Sequence, residues 1–398
     1  MVSGVKMKLW ELVDSVSGIF ADRAGHFDET REFPFENYNL IVENHLHAIN
    51  LPEQYGGLDL GIEETTKLLS RLAMGCGQTT LSLAMHYYSL GGFKKIFSET
   101  MKEKVLRDIA YNGKFMASIS NPNILLLKDK RDIQQVTNLK GEKVEGGFIV
   151  NGEKRFVSGS PAISYLPIYC VTDSSNKYSY GISAMMCRIN DPGIEVQNTW
   201  NLNAMRTTAS HNIRFTNVFV PNEMVIGREG YGIDDTQDLI YWFRLSQVSV
   251  YYGMAVAAYE YIKSVVHTQK DHISNRPISF LPGVQFAVAD LKIKLDVCRS
   301  QITYCAKLAD ELLKEGTNQN DLYIETLVTK QFVTKTVNEI IWSAMQIVGM
   351  RSLSQGHLLE RLHRDIRAAT FHPPAEDLLK EVIGKKVLQV LPVRMRWV

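Results

Sequence analysis

Apolar residues recur at Leu291, Leu295, Cys298, Ile302, Cys305, Ala309 and Leu312, alternately four and three positions apart. That spacing keeps returning to one narrow face of an α-helix, which suits a long helix packed nearly parallel to others. A seam of this length needs partners of similar length, so this part of the chain is confined to a bundle. Gly316 ends the seam, and further long helices are expected over 236–269 and 322–348.

The rest of the chain divides by period. Residues 1–113 read mostly as helix, with apolar residues at helical spacing over Ile62–Met74. The Pro/Gly-rich stretch LPEQYGGLDL (51–60) interrupts them as a loop. From Lys114 the pattern becomes short β-rich runs separated by turn residues: FMASIS, GGFIVNGEKRFVSG, YLPIYCVT, YGISAMMCRI and HNIRFTNVFVP. Asn151-Gly152 predicts a type I′ hairpin between two of these strands. The expected organisation is a helical domain (1–113), a small β-domain (114–225) and a helical bundle (226–398). No internal repeat or low-complexity segment interrupts it.

Charge excludes some partners. Lys+Arg and Asp+Glu nearly cancel, 44 against 43, so no global field draws the chain to nucleic acid or to a membrane surface. No run of 18 apolar residues exists to span a bilayer, and MVSGVKMKLWELVDSV lacks the apolar stretch of a signal peptide. Cys76, Cys170, Cys187, Cys298 and Cys305 are scattered, with no zinc-type spacing, which predicts free thiols, a cytoplasmic protein and no metal.

Several motifs, in this order, resemble the acyl-CoA dehydrogenases and their relatives. LPEQYGGLDL is similar to the family's loop after the first helices. GGFIVNGEKRFVSG resembles a strand pair whose aromatic-aliphatic-hydroxyl triplet lies against the flavin ring. MRTTASHNIRFTNVFVPNEMVIGREGYG resembles the stretch leading out of the β-domain, and ERLHRDIR resembles the Arg-Asp helix of the C-terminal bundle. The resemblance covers nearly the whole chain. It implies an α+β multidomain fold with an N-terminal α-helical domain, a middle β-barrel-like domain and a C-terminal four-helix bundle. It also implies assembly as a homodimer or homotetramer. It further implies a flavin-dependent oxidoreductase that binds FAD, with FMN as the alternative. The reaction would be α,β-dehydrogenation of an acyl thioester, with hydride passing to flavin N5 and an external electron acceptor. Ser118 and Ser120 would sit near the pyrimidine edge of the ring, and Phe156, Val157 and Ser158 against its face. Fixed donors there favour the charge of reduced flavin. Arg276, Phe280, Gln346 and Gly349 fall on segments that would grip the distal part of the cofactor.

Three departures from the family pattern bear on the chemistry. A carboxylate must take the substrate α-proton, yet the two family positions for it fall on Pro373 and Phe243. Glu376 lies three residues beyond Pro373 and is the candidate for a displaced base. Arg244 adjoins the other position and could fix an anionic group or simply pair within the bundle. Near the cofactor's distal end, RPISFLPGVQ keeps Arg276 and Phe280, while QIVGM puts Met350 where a second glycine is usual. Near the thioester arm, SNPNILLLKDK puts apolar Ile124–Leu127 where small polar residues are expected.

A subgroup of the family consists of flavin monooxygenases. They take reduced flavin from a separate reductase and lack the dehydrogenase glutamate. FHPP (371–374) is similar to the C-terminal motif of the dibenzothiophene-oxidising type, which makes His372 a candidate donor to flavin-bound oxygen. His86, in LAMHYYSLGG, is the candidate for a second histidine. The plainer role for His372 is a histidine at a helix C-terminus, stopped there by prolines. For His86 it is a packed helix residue. Two further readings therefore stand beside dehydrogenation: a two-component monooxygenase, and a flavin binder without turnover.

Overall fold

A computed structural model describes residues 2–119, 137–172, 180–316 and 320–390. The chain opens with helices α1 (Val2–Thr30), α2 (Phe35–Glu43), α3 (Ile62–Gly75), α4 (Gly77–Phe93) and α5 (Arg107–Asn112). Strands follow: β1 (Phe115–Met116), β2 (Lys140–Val144), β3 (Gly147–Val157), β4 (Ile163–Thr172), β5 (Ile182–Arg188), β6 (Ile194–Gln197), β7 (His211–Pro221) and β8 (Val225–Ile226). The bundle comprises α6 (Leu239–Thr268), α7 (Pro282–Glu315) and α8 (Asn320–Val348), followed by the shorter α9 (Leu358–Ile366) and α10 (Glu376–Val387).

The seam behaves as its spacing requires. Leu291, Leu295, Cys298, Ile302, Cys305 and Ala309 form the buried face of α7. Pro282 opens the helix, where a missing N–H costs nothing, and Gly316 closes it in the left-handed region at φ +65°. α4 is different. All 17 of its residues are buried, so it has no polar face for a periodicity argument to find. Gly91 lets it approach α6 closely, since a Cβ there would lie 2.4 Å from the Trp242 ring.

The strands form one sheet in the order β6-β7-β3-β2-β4-β5-β8, with β1 added in parallel to β4. β5 comes back against β7 around an interior of Phe148, Val150, Leu166, Ile168, Met185 and Phe215. The end strands β6 and β8 are not paired to each other. This core is the sheet's own. The first and last helical regions instead share a single core, in which α3 and α4 pack on α6. They are separate in sequence and one body in space.

The hairpin expected at Asn151-Gly152 is displaced. Val144 pairs with Gly147, so the tight turn is Glu145-Gly146, with Gly146 at φ +79°. Gly152 lies within β3 at a register shift, at φ +130°, and a Cβ there would come within 2.0 Å of the Asn138 carbonyl oxygen. The glycine serves backbone approach, not reversal. Gly152→Ala is expected to destabilise the chain by about 2 kcal/mol or more. Urea unfolding reads this directly, and a loss within ~0.5 kcal/mol, the range of an ordinary surface substitution, would show the Asn138 segment giving way.

Candidate functional site

One stripe of α4 fastens the β-domain to the helices. Gln78, Ser82, His86 and Ser89 lie four, four and three residues apart and so share a helix face. Gln78 Oε1 accepts from the Thr207 N–H (2.8 Å) and hydroxyl (2.9 Å). Ser82 packs beneath Gly159. His86 Nδ1 accepts from the Met116 N–H (3.0 Å), and Ser89 donates to the Ala117 carbonyl (3.0 Å). At 1.5 Å per residue this stripe runs about 16 Å along the sheet's margin.

That margin is rich in hydroxyls. Ser158 and Ser210 pair at 2.8 Å, and Ser210 also meets the Thr208 hydroxyl at 2.9 Å. Ser118 meets Tyr88 at 2.5 Å, and the Tyr88 ring packs edge-on to Phe243 of α6. Beside it the buried Lys154 ammonium donates to the Ile119 carbonyl, and burial lowers its pKa to about 8. A second bulge in β3 falls between Lys154 and Val157. There Phe156 is held at φ +57° with 63% of its surface exposed, edge-on to Trp200, while Val157 is buried. A phenylalanine in the left-handed region, turned mostly out to solvent with Trp200 against its edge, is strained.

The Arg-Asp pair beyond this margin is a clasp. Asp365 accepts from the Met205 N–H (2.6 Å) and from Gln78 (2.8 Å). Gln78 donates also to Asp28 (2.8 Å), which Arg364 grips at 2.6 Å. Helices α1, α4 and α9 and the loop before β7 meet here. Burial raises Asp365 to about 6, against its two hydrogen bonds. Asp28 is held below the usual carboxylate range by Arg364, Gln78 and Arg206, which outweigh its burial.

A second group of polar residues lies inside the bundle. Arg244, Gln247 and Tyr251 share one face of α6 at spacings of three and four. Arg244 is fully buried; its Nη1 donates to Thr326 (3.0 Å) and Tyr323 (3.4 Å) of α8, and its guanidinium lies 4.5 Å over the Tyr323 ring. Among the described residues, its Nε and Nη2 have no partner, nor do Gln247 Oε1, the Tyr251 hydroxyl or His372 Nε2. The His372 ring is 5.7 Å from that of Tyr251. Lys330, also buried, donates to the Pro374 carbonyl at 3.0 Å. Burial and then the Lys330 charge push His372 down to about 4, so its imidazole is neutral at neutral pH. Burial and the charge of Arg244 lower Lys330 to about 8, against Glu376. A groove of about 840 Å³ between α1, α3, α6 and α7 lies on the opposite face of α6, lined by Ser249, Tyr252 and Val256.

The candidates from sequence divide accordingly. Ser118, Val157 and Ser158 lie on the hydroxyl margin with Phe156. Ser120 and the rest of the SNPNILLLKDK stretch (120–130) lie outside the described residues. Arg244 and His372 share the buried group. His86 does not join them. Its Nε2 donates to the His47 carbonyl (2.8 Å) while Nδ1 is taken by Met116, so both nitrogens hold backbone and neither faces a substrate. Burial lowers its pKa to about 4, which keeps that tautomer uncharged. Glu376 stands exposed in the first turn of α10, paired with Lys380, and is not turned inward as a displaced base would be. The pairing and the helix dipole account for a carboxylate there. Arg276, Phe280, Gln346 and Gly349 are exposed at the α6–α7 connection and the end of α8. A Cβ on Gly349, at φ +78°, would meet nothing within 4 Å. Gln78, Gln247, Tyr251 and Lys330 were missed. The signal for Gln247 and Tyr251 was their spacing from Arg244, hidden in a helix that is apolar nearly all round.

A β-domain clasped between two helical regions that share one core, with a hydroxyl-rich margin set against α4, defines a three-domain oxidoreductase architecture. Three family descriptions match in order: acyl-CoA dehydrogenase N-terminal domain (12–112), middle domain (129–218) and C-terminal domain (230–388). The chain belongs to the acyl-CoA dehydrogenase family. It is 25% identical over 383 residues to the cyclohex-1-ene-1-carbonyl-CoA dehydrogenase of Geobacter metallireducens, covering 96% of this chain and 97% of that one. Its fold is similar to dibenzothiophene monooxygenase from Paenibacillus sp. A11-2, at a TM-score of 0.83, 18% identity and coverage of 95% and 96%. It is equally similar to butyryl-CoA dehydrogenase from Megasphaera elsdenii, at a TM-score of 0.82 and coverage of 94% and 97%. No helix among the described residues is long and apolar enough to cross a membrane.

Proposed function

We propose that this chain is a flavin-dependent oxidoreductase whose ring-binding surface is the margin formed by Ser118, Phe156–Ser158 and Thr208–Ser210. The observation that carries this reading is Phe156, forced to positive φ and out to solvent in a bulge beside a chain of hydroxyls. A flat heterocycle with a polar edge fits such a surface. When bound, flavin supplies two-electron transfer and, once reduced, activation of dioxygen. Ser118 and Ser158 would hold the polar edge of the ring, and Phe156 and Val157 its face. Arg276, Phe280, Gln346 and Gly349 would hold the distal part of FAD; FMN would not need them.

The finer chemistry follows from what faces the bundle interior. The family's base positions are Pro373 and Phe243, and Glu376 is on the surface. A neutral imidazole with an unpartnered buried nitrogen stands there instead. This favours the oxygen-using reaction, in which His372 donates a hydrogen bond to a bound oxygen and no carboxylate base is required. Reduced flavin would then come from a reductase. Dehydrogenation of an acyl thioester remains the reading closest to the relatives' names. Asp238, before α6, favours it, because one of its oxygens is buried without a partner.

Flavin uptake is the first test. Titrating the purified chain with FAD and with FMN, while following flavin fluorescence, should show saturable binding by at least one. Phe156→Ala should weaken it about tenfold. No uptake would sink both enzyme readings. Anaerobic bleaching of bound flavin by an acyl-CoA, without a reductant, would overturn the oxygen-using reading. A slow return of oxidised flavin on admitting oxygen, faster in His372→Ala, would support it.

A second copy of the chain is also expected. Phe286, Ile293, Val297 and Tyr304 lie on one outer face of α7, at spacings of seven, four and seven, and each is about half exposed or more. Such a stripe suits a homodimer or homotetramer interface. Sedimentation should show an oligomer, and Ile293→Asp should shift it towards smaller species; a wild-type monomer would remove this part of the reading.

A further inference from the structure

We propose that the buried face of α6 is a receptor for a small organic carboxylate, with Arg244 taking the anionic group. The proposal rests on the oxidoreductase reading only for what happens to the ligand after it binds.

Among the described residues Arg244 has no counter-ion. Its partners are a hydroxyl, a carbonyl and an aromatic face, all neutral. Lys330 adds a second buried cation whose hydrogen bond goes to the Pro374 carbonyl. Charged and titratable groups reach this pair from four elements: Arg244 and Tyr241 on α6, Cys305 on α7, Lys330 and Tyr323 on α8, and His372 with Glu376 around the start of α10. Glu376 is exposed and already paired with Lys380. A buried cation left unpaired is costly, and arginine cannot escape by losing its proton as lysine can. Something negative belongs here when the protein works.

The geometry of the unpartnered donors narrows the choice. Nε and Nη2 are the two donors along one side of the guanidinium. A carboxylate fills that side with two parallel hydrogen bonds. Lys330 would share the charge. Gln247, at the next turn, can turn its amide to donate. Tyr251 and His372 then stand about 10 Å further along the helix, beyond the carboxylate and against the remainder of the molecule. Their unpartnered hydroxyl and ring nitrogen suit a polar or reacting group at that end. A bulky, highly charged thioester arm does not suit so enclosed an arginine. The ligand is a free acid of modest length.

Binding can be tested on the purified full chain by calorimetry, without knowing the substrate. Hexanoate and phenylacetate are the probes, with hexanamide and phenylacetamide as neutral counterparts of the same shape and hexanoyl-CoA as the thioester. The carboxylates should bind about 10- to 100-fold more tightly than the amides. Arg244→Gln should abolish that preference, and Arg244→Lys should restore only part of it, since an ammonium lacks the fork. Affinity for the carboxylates should fall as pH rises through about 8, where Lys330 loses its proton, and Lys330→Met should remove that fall. Equal binding of acids and amides by the wild-type chain would overturn the proposal without recourse to any variant. So would tighter binding of hexanoyl-CoA than of hexanoate. Flavin titration of the same samples separates the two readings: a chain that takes flavin but shows no preference for the acids loses this proposal alone.

Discussion

Gln78→Ala is expected to destabilise the chain by about 3–5 kcal/mol, more than any substitution on the outer faces of the bundle. The glutamine holds four groups at once: the Thr207 N–H and hydroxyl, Asp28 and Asp365. Alanine would orphan a buried N–H and leave two buried carboxylates nearer to bare repulsion. The Met205–Ser210 loop would loosen, so flavin affinity should fall together with the urea midpoint. Normal stability with flavin binding lost would show that Gln78 acts at the ring site alone. The same clasp gives a pH signature. Because the folded state raises Asp365 from 3.8 to about 6, its contribution to stability is fully present below 3.8 and is lost as pH rises through 6. The stability of wild type relative to Asp365→Asn should therefore decline by about 3 kcal/mol between pH 4 and 7. A flat difference would mean that the carboxylate is far better solvated than its burial implies.

His372→Ala is expected to slow turnover by about 100-fold, the range of a lost positioned proton donor, while Glu376→Gln leaves it unchanged. One ring is half-buried, with a buried nitrogen facing the polar interior; the other group is a surface carboxylate paired along its own helix. With its imidazole lowered to about 4, His372 carries no charge across neutral pH. The rate should then show no limb near 6.5 that disappears in the alanine variant. A limb there, or a large loss in Glu376→Gln, would reverse the two assignments.

The order of helices, strands and helices was legible because the period of the apolar residues changes at Lys114 and again after Ile226. The seam of α7 was legible down to its glycine stop. Gly152 was misread because Asn-Gly marks a tight turn only when the backbone there is free; here a carbonyl 2.0 Å from the missing Cβ explains the glycine. The candidate site was legible where it is made of residues close in sequence, as in Phe156–Ser158 and His372. It was not legible where it is made by packing. Gln247, Tyr251 and Lys330 sit in helices whose polar residues face inward, against the usual sense of the pattern. His86 had a residue type that suggested chemistry, and only its two backbone partners reveal it as a tie between α4 and β1.

The core shared by the first and last helices governs how this chain can be made. α3 packs on α6, although some 180 residues separate them. During synthesis the early helices emerge with their apolar faces uncovered and must wait for the bundle before they can bury them. The sheet, whose core is its own, can close in the interval. Loop closure over such a separation is slow, and the waiting segments are the ones exposed to aggregation. Shortening the chain from its C-terminal side by removing α6 onwards would leave α1 to α4 without a folded state, however intact their own sequence.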